Sequence, residues 1–216
     1  MSAVALLDPQ PGEKICDLCA APGGKSALMK EQGGEAVQVI AFDLSSAKLA
    51  RMDDNFKRLG LEIQTRAQDA TELLKDLEHQ AAGVLLDVPC SGLGLLGRKP
   101  DIRQNMDLQS MAELKGTQAA ILSNGARYVK PGGFLIYSTC TLNRSENEDN
   151  VHDFLESHPD FRILTGPSLK LLAAQQKSGI DQLRVQDGLI TVLPGQGLDG
   201  FFIAALQKTR RTRKEQ

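Results

Sequence analysis

Two cysteines stand at the ends of short apolar runs, in the segments Asp87-Val88-Pro89-Cys90 and Tyr137-Ser138-Thr139-Cys140. Each run has the length and composition of a buried strand, so each thiol is expected at the carboxyl end of a strand. In open α/β sheets, those strand ends form the edge at which ligands bind. Two thiols at such an edge suggest covalent chemistry in which one thiol attacks and the other assists release.

A third segment, from Cys19 to Lys25, has the composition of a binding loop and reads Cys-Ala-Ala-Pro-Gly-Gly-Lys. Its small residues let a ligand approach the backbone closely, and the helix that follows offers free amide groups. It is not a P-loop, because no glycine stands at the first position of that motif. The loop suits a phosphate or the amino-acid end of S-adenosylmethionine, with an ordinary strand-to-helix turn as the alternative.

Four carboxylates, Asp17, Asp43, Asp69 and Asp87, occupy equivalent places at or just beyond predicted strand ends. In a parallel sheet those ends share one edge, so residues that are distant in sequence converge there. An acidic side chain after the second strand can accept hydrogen bonds from ribose hydroxyls, which is the role predicted for Asp43. For any one of these carboxylates, a helix cap or a surface position is the simpler interpretation.

The elements that position these residues alternate between strand and helix, which predicts an α/β protein with a parallel sheet covered on both faces. Strands are predicted at 14–19, 37–43, 63–66, 83–87 and 133–137, and the last third adds strands at 183–193 and 200–206 to one sheet edge. Helices are predicted at 45–59, with Gly60 as a stop, and at 108–129, ended by Pro131-Gly132-Gly133. The capping-box spacing of Ser145-Glu146-Asn147-Glu148 predicts a third helix through Leu155.

Length, composition and charge limit the classes of protein to which this chain can belong. The chain has 216 residues, 41% hydrophobic and 24% charged, with a net charge of −2, so nothing drives it globally towards nucleic acid. We expect one catalytic domain over 1–208 and a basic tail over 209–216, the latter either solvated or in contact with RNA. We also expect a cytosolic monomer with no membrane segment, in which the four cysteines do not form a disulfide scaffold. The abrupt start at Pro9-Gln10-Pro11-Gly12 suggests that an amino-terminal region precedes this chain.

Two further sequence patterns give weaker evidence of a functional site. The run from Gly92 to Gly97 matches the dinucleotide fingerprint, but no helix follows it, so we interpret it as a flexible active-site loop. Arg98, Lys99 and Arg103 beside it are possible phosphate contacts. Cys16 and Cys19 have the spacing of a metal pair but lack a second pair, so no metal site is predicted.

Several separated motifs together resemble the Sun/Fmu/Nop family of RNA cytosine-5 methyltransferases, most closely its RsmB-like branch that acts on 16S ribosomal RNA. The similarity runs from about Ala5 to Lys208. Its strongest elements are 17–25, 87–92 and 138–140, supported by Arg98-Lys99-Pro100-Asp101 and Asp199-Gly200-Phe201-Phe202.

This resemblance implies a Rossmann-like class I fold with a seven-stranded, mostly parallel sheet, S-adenosylmethionine as the cofactor and RNA as the partner. Family members of the RsmB-like branch usually carry an amino-terminal RNA-binding domain, and we expect that domain to lie outside these 216 residues. The resemblance assigns Cys140 as the nucleophile, Cys90 as the thiol that assists release, and Asp87 as a residue lining the site. The implied cofactor residues are Cys19, Ala20, Ala21, Pro22, Gly23, Gly24, Lys25, Asp43, Asp69 and Asp87.

Three alternatives stay open at the level of sequence. Asp87 bonds the cytosine ring nitrogen if it is protonated, or the exocyclic amine if it is ionised. The chain is alternatively an exocyclic-amine methyltransferase that uses no nucleophile, or a non-catalytic RNA-binding factor that retains the fold.

Overall fold

One sheet organises the molecule. The computed structural model describes residues 3–102, 107–166 and 182–210. These residues form a nine-stranded sheet in the order β3-β2-β1-β4-β5-β9-β8-β7, with β6 paired to β9. The strands are β1 Lys14–Asp17, β2 Gln38–Asp43, β3 Gln64–Ala67, β4 Ala81–Asp87, β5 Val129–Thr139, β6 Phe161–Ile163, β7 Leu183–Gln186, β8 Leu189–Val192 and β9 Phe201–Lys208. Strands β1 to β5 pair with one another in parallel, and the pairings that involve β6, β7, β8 and β9 are antiparallel.

Helices cover both faces of this sheet. They are α1 Val4–Leu7, α2 Gly24–Gly33, α3 Ser46–Leu59, α4 Leu108–Tyr128 and α5 Glu148–Ser157. Successive residues of β4 face opposite layers, because side chains alternate along a strand. Leu86 packs in the cluster that holds Leu122 of α4, whereas Leu85 packs in the cluster that holds Met29 of α2. The predicted Rossmann-like α/β fold, a sheet with helices on both faces, is therefore confirmed, although the described residues form nine strands where the resemblance implied seven.

The predicted helix at 45–59 is confirmed to within one residue. Ser45 accepts a hydrogen bond at its Oγ from the Lys48 backbone N–H, which caps the first turn. The helix ends at Gly60, whose φ of +68° is the left-handed conformation that glycine adopts without strain. Leu49, Met52 and Phe56 are its buried face.

The predicted helix at 108–129 is confirmed to within one residue, whereas the prediction that the next strand begins only at Gly133 is wrong. The helix α4 stops at Tyr128, and β5 begins at Val129 and runs through the Pro-Gly-Gly segment. Ala81 pairs with Val129 and Gly83 with Phe134, so β5 carries extra residues opposite β4 at this point. The strand absorbs the segment as a bulge, where proline and glycine are tolerated.

The predicted capping box at Ser145 is also wrong. A short 3-10 helix spans Arg144–Glu146, and α5 begins only at Glu148. The Ser145 hydroxyl donates to Asn143 Oδ1 at 3.1 Å instead of capping the helix. The Glu146 side chain is buried among residues of other elements, as described below.

The two ends of the described chain refine other predictions. Lys208, the last residue of the predicted catalytic domain, is also the last residue of β9, and its Nζ donates to the Ala126 carbonyl at 3.0 Å. Residues 211–216 and Arg103 lie outside the described residues. In the three described stretches, no helix combines the length and apolar character that crossing a bilayer requires.

Candidate active site

The two predicted thiols lie side by side. β4 and β5 are parallel neighbours, and Asp87 is aligned with Ser138, so the residues that follow each strand emerge together. The Sγ atoms of Cys90 and Cys140 are 3.0 Å apart. Both side chains are half-buried, which leaves the pair accessible from one side. The sequence-based expectation of two converging cysteines agrees with this geometry.

The thiols differ in their acidity. The pKa of Cys140 is lowered, chiefly because Cys90 donates a hydrogen bond to it, while burial acts in the opposite direction. The pKa of Cys90 is raised, chiefly by that same hydrogen bond and then by burial. The Cys140 backbone N–H donates to Cys90 Sγ at 3.2 Å and offsets part of this difference. The Asp87 charge raises the pKa of Cys140 and the Lys25 cation lowers it by less, so the hydrogen bond from Cys90 is the reason that Cys140 is the thiol that ionises first.

Asp87 is held by two donors at the same sheet edge. Lys25 Nζ lies 2.5 Å from Asp87 Oδ2, and the Ser138 hydroxyl donates to Asp87 Oδ1 at 3.1 Å. Each partner of this ion pair is about 30% exposed, since the side chains of Lys25 and Asp87 have exposures of 32% and 29%. The carboxylate therefore faces the site as an acceptor.

A cleft of about 600 Å³ opens beside this group, a size typical of small-molecule sites. Of the predicted cofactor residues, Cys19, Ala21, Asp43, Asp69 and Asp87 line it. The remaining predicted members of the loop, which are Ala20, Pro22, Gly23, Gly24 and Lys25, do not. Apolar side chains, among them Leu18, Val88 and Ile121, form the other walls.

The polar end of the cleft is built around two carboxylates. Asp43 is buried at the end of β2, accepts from the Ser45 backbone N–H at 3.0 Å, and lies 3.5 Å from Lys48 Nζ. Asp69 accepts from the hydroxyl and the backbone N–H of Thr71, and these bonds lower its pKa. A ligand with ribose hydroxyls at this end and a flat apolar ring against the far wall matches these two surfaces.

Asp17 leaves a buried acceptor without a partner at the start of the predicted cofactor loop. Its Oδ2 accepts from the Ser26 hydroxyl at 2.6 Å, whereas no described residue bonds its buried Oδ1. Burial raises its pKa to about 7, and the nearby Asp87 charge acts in the same direction. An unsatisfied acceptor in this place is consistent with a site that receives a cationic group from a ligand.

The raised pKa of Asp17 predicts a pH-dependent stability. Its folded pKa exceeds the unfolded value, so its favourable contribution is complete below about pH 4 and is lost as the pH rises through about 7. Asn at this position carries no charge. The free energy of unfolding of Asp17→Asn, relative to the wild type, should therefore increase by about 1–4 kcal/mol between pH 4 and pH 8 in urea titrations.

The control for this titration is Glu156→Gln, which neutralises an exposed carboxylate on α5. Its stability relative to the wild type should be the same at both pH values, within about 0.5 kcal/mol. An equal offset for Asp17→Asn at pH 4 and pH 8 would show that Asp17 titrates as an exposed carboxyl does.

The glycine-rich run near Cys90 has a packing role. Residues Leu93–Leu95 form one 3-10 turn rather than opening a long helix, in agreement with rejecting the dinucleotide fingerprint. A Cβ on Gly94 would lie 2.3 Å from the Gly200 carbonyl oxygen and 2.7 Å from that of Cys140. The Gly94 backbone N–H donates to that Cys140 carbonyl at 3.0 Å. Glycine at 94 thus lets the loop pack directly on the backbone of the candidate nucleophile.

Of the basic residues predicted beside this loop, Arg98 is already bonded to other groups of the protein. Arg98 Nε lies 3.0 Å from Asp199 Oδ1, and its Nη2 donates to the Gly197 carbonyl. Lys99 is exposed. Phosphate contacts by these two side chains stay a prediction.

Sequence reasoning missed a polar cluster behind the thiols. Ser91, Gln118, Thr141 and Glu146 are buried and hydrogen-bonded to one another between β4, β5 and α4. The sequence pattern places Glu146 only inside the segment of the predicted capping box. A buried carboxylate needs several donors, and its donors here are 3 to 55 positions away in the chain.

In the described parts of the chain, no other candidate site brings reactive side chains together as the two thiols and Asp87 are brought together. Among the described residues, no group of three or more His, Cys, Asp and Glu side chains is arranged to hold a metal ion. Burial raises the pKa of Cys16 to about 12, so this thiol is inert near neutral pH. A second cleft, of about 630 Å³, includes Lys14, Gln38 and Gln64, the first residues of three strands, and so lies at the opposite sheet edge.

Comparison with known proteins gives a consistent family. The model of the 16S rRNA methyltransferase RsmB/F family matches residues 4–207. The chain is 39% identical over 217 residues to a probable ribosomal RNA small subunit methyltransferase B of Bacillus subtilis, covering 96% of this chain and 46% of that protein. It is 40% identical over 206 residues to the corresponding Synechocystis protein, covering 94% and 45%. The chain thus spans less than half the length of these curated relatives.

Solved structures agree in fold. The crystal structure of PH0851 superposes with a TM-score of 0.84 at 34% identity, over 95% of this chain and 45% of that one. NSun6 from Pyrococcus horikoshii, solved with SFG, gives a TM-score of 0.76 at 29% identity, over 96% and 51%. A SAM-dependent O-methyltransferase from Thermotoga maritima, at 14% identity and a TM-score of 0.56 over 98% and 64%, shares the fold alone.

Proposed function

The chain belongs to the 16S rRNA methyltransferase RsmB/F family, and from that premise we propose that it methylates carbon 5 of a cytosine in ribosomal RNA, using S-adenosylmethionine and a covalent bond from Cys140. The observation that carries this proposal is the separation of 3.0 Å between Cys90 Sγ and Cys140 Sγ, beside a cofactor-sized cleft. A methyltransferase that acts on an exocyclic amine needs no such pair of thiols.

The cleft fits S-adenosylmethionine, the cofactor of methyltransferases with this fold, and a relative was solved with SFG, an analogue of it. Asp43 would bind the ribose hydroxyls, Asp69 would lie by the adenine, and Leu18 and Ile121 would pack on the ring. The buried acceptor without a partner on Asp17 supports binding of the amino-acid end at this loop. When bound, this cofactor supplies an electrophilic methyl group on a positively charged sulfur.

Cys140 begins the reaction by attacking the cytosine. Its thiolate adds to carbon 6, and the electrons of the 5,6 double bond make carbon 5 nucleophilic. Carbon 5 is then the atom that would accept the methyl group supplied by a bound cofactor. The lowered pKa of Cys140 raises the fraction of thiolate available for this attack.

Cys90 acts after the methyl group has arrived. The hydrogen bond to Cys140 is the main cause of its raised pKa, and that cause disappears once Cys140 is bonded to carbon. The Cys90 thiol then loses its proton to solvent, and its thiolate takes the proton from carbon 5. The electrons of that C–H bond restore the 5,6 double bond and expel Cys140 as a thiolate, which releases the product.

Asp87 orients the cytosine as an acceptor. Lys25 and Ser138 each donate to one of its carboxylate oxygens, so the ionised form is the one that the surroundings satisfy. An ionised Asp87 accepts from the exocyclic amine, which selects cytosine over uracil. The base must be unpaired or flipped out of its helix to reach this edge.

A nucleoside assay tests the reaction. Unmodified 16S ribosomal RNA is incubated with methyl-labelled S-adenosylmethionine, and the digested nucleosides are separated. We expect label in 5-methylcytidine, and none with Cys140→Ala. Label in another nucleoside would contradict the cytosine assignment. The absence of any transfer to ribosomal or transfer RNA while calorimetry shows cofactor binding would contradict methyl transfer by this chain on its own.

Asp43→Ala should weaken cofactor binding. The change removes the buried carboxylate proposed for the ribose, and loss of a charged hydrogen-bonding group costs about 1.5–3 kcal/mol, or about 10- to 100-fold in affinity. Calorimetry with S-adenosylhomocysteine measures the effect without RNA. Asp53→Ala on α3 is the control, since Asp53 lines the cleft at the opposite edge, and equal affinities for the two variants would exclude Asp43 from the cofactor site.

A further inference from the structure

A buried carboxylate stands between the two loops that carry the thiols. Glu146 Oε2 accepts from the Ser91 backbone N–H and from Gln118 Nε2, both at 2.9 Å. Glu146 Oε1 accepts from the Ser91 hydroxyl at 2.5 Å and from Asn143 Nδ2 at 3.0 Å. Each oxygen thus has two donors, and the side chain is completely buried.

These contacts join the Cys90 loop to the Cys140 loop. Ser91 directly follows Cys90, and Asn143 lies three positions after Cys140. Two further hydrogen bonds lie beside those of Glu146. The Ser91 and Thr141 hydroxyls are 2.7 Å apart. In addition, the Gln118 side chain donates to the Pro89 carbonyl at 2.9 Å while it donates to Glu146.

The chemistry of this position specifies a carboxylate. All four partners are donors, and a carboxylate offers only acceptors. A glutamine of the same size replaces one oxygen with an amide NH₂, which would face two N–H donors in place of Oε2, or the Asn143 amide and a Ser91 hydroxyl forced to accept in place of Oε1. Substitution with Gln therefore preserves the volume of the side chain while breaking about half of the connection between the loops.

We propose that Glu146 is a positioning residue that fixes the two thiols of Cys90 and Cys140 within hydrogen-bonding distance of each other. The meaning of that distance for catalysis rests on the function proposed above, whereas the distance itself is a property of the protein alone. Catalysis then depends on Glu146 through the cysteines, because the residue is buried away from solvent behind them.

Oxidative cross-linking measures the separation of the thiols without RNA or cofactor. Hydrogen peroxide accepts two electrons from the pair, so that one S–S bond and two waters form while both thiols lose their protons. The wild-type Sγ atoms need to approach by only about 1 Å to reach the disulfide bond length of about 2.05 Å. The initial rate is read from the Cys90–Cys140 peptide by mass spectrometry under non-reducing conditions. Failure of the wild type to form this peptide would overturn the proposal.

Glu146→Gln should slow this cross-linking by about 10- to 100-fold, because a displacement of about 1 Å between reacting groups has effects of that size. Glu156→Gln, an exposed change on α5, should react at the wild-type rate. Ile190→Ala, which leaves a cavity beside β8 and lowers stability, should also react at the wild-type rate. Cross-linking of Glu146→Gln at the wild-type rate would overturn the proposal.

A double-mutant cycle separates positioning from general disruption. Alkylation of Cys140 by iodoacetamide near neutral pH should slow in Glu146→Gln and in Cys90→Ala, but no further in the double variant, because Glu146 acts through the contact between the thiols. Additive effects would mean that Glu146 serves the fold only, which overturns the proposal.

A second variant keeps the test decisive if Glu146→Gln does not fold. Ser91→Ala removes the hydroxyl bonds to Glu146 and Thr141 but keeps the backbone bond, so its cross-linking should slow by about 3- to 10-fold. A wild-type rate for folded Ser91→Ala would overturn the proposal. Since these rates need no RNA, a chain that never methylates RNA still tests Glu146, and the nucleoside assay tests the reaction separately.

Discussion

Cys140→Ala is expected to lower the rate of methyl transfer to RNA by about 10³-fold or more, while cofactor binding and stability stay close to those of the wild type. Losses of this size follow the removal of a nucleophile that acts together with a partner group. Alanine cannot add to carbon 6, so carbon 5 of the cytosine keeps its low reactivity. Cys140 is half-buried at a strand end, so removing its sulfur leaves no sealed cavity in the core.

The controls for this result use the other thiols and the cofactor. Cys16→Ala removes a buried sulfur from the core and should retain the wild-type rate of transfer. Calorimetry with S-adenosylhomocysteine should give the same affinity for Cys140→Ala and the wild type. Transfer by Cys140→Ala at more than about a tenth of the wild-type rate would favour direct methylation of an exocyclic amine.

The strands that carry the site were predictable because their signals are local. Runs such as the one that ends at Asp87 are continuously apolar and bounded by polar or turn residues, as expected for parallel strands buried on both faces. Once the strands are parallel neighbours, topology brings Cys90 and Cys140 to one edge. The sequence also predicted Asp43 and Asp69 in the cleft for the same reason.

What the sequence did not predict depends on contacts between distant segments. Lys25 was predicted as part of the cofactor loop, but its Nζ pairs with Asp87, 62 positions away, and it does not line the cleft. The bulge at Pro131 and the burial of Glu146 both contradicted sound local patterns. In each case the segment pairs with another element that is distant in the sequence, and a local pattern does not encode that contact.

The place of the reactive residues in the fold and the distance between the two thiols therefore depend on different features of the sequence. Strand periodicity and topology bring Asp87, Cys90 and Cys140 together, whereas the separation between the two thiols depends on side-chain bonds made by Glu146 and Ser91. A chain with the same motifs but a different buried cluster would present both thiols at the same edge without holding them in contact. Motifs alone thus indicate the reaction, and the cluster behind them governs its geometry.

Cys90→Ala is expected to accumulate a covalent complex between the protein and methylated RNA, with turnover reduced by about 10²-fold or more. Cys140 can still attack without Cys90, although loss of the hydrogen bond slows the attack at a given pH, so the first half of the reaction still proceeds. The proton on carbon 5 then has no nearby base, and loss of a general base typically costs about 10²–10⁴-fold. The complex should be stable on a denaturing gel, and mass spectrometry should identify it as a methylated nucleotide bonded to Cys140.

The double variant Cys90→Ala/Cys140→Ala is the matched control and should form no complex, because the attacking sulfur is absent. A complex that depends on S-adenosylmethionine and on Cys140 would establish that the two thiols act in successive halves of one reaction. Release at the wild-type rate from Cys90→Ala would instead mean that solvent or Asp87 removes the proton. The separation of 3.0 Å between the sulfurs would then serve only to lower the pKa of Cys140, and the Cys90→Ala protein should need a higher pH for the same rate of attack.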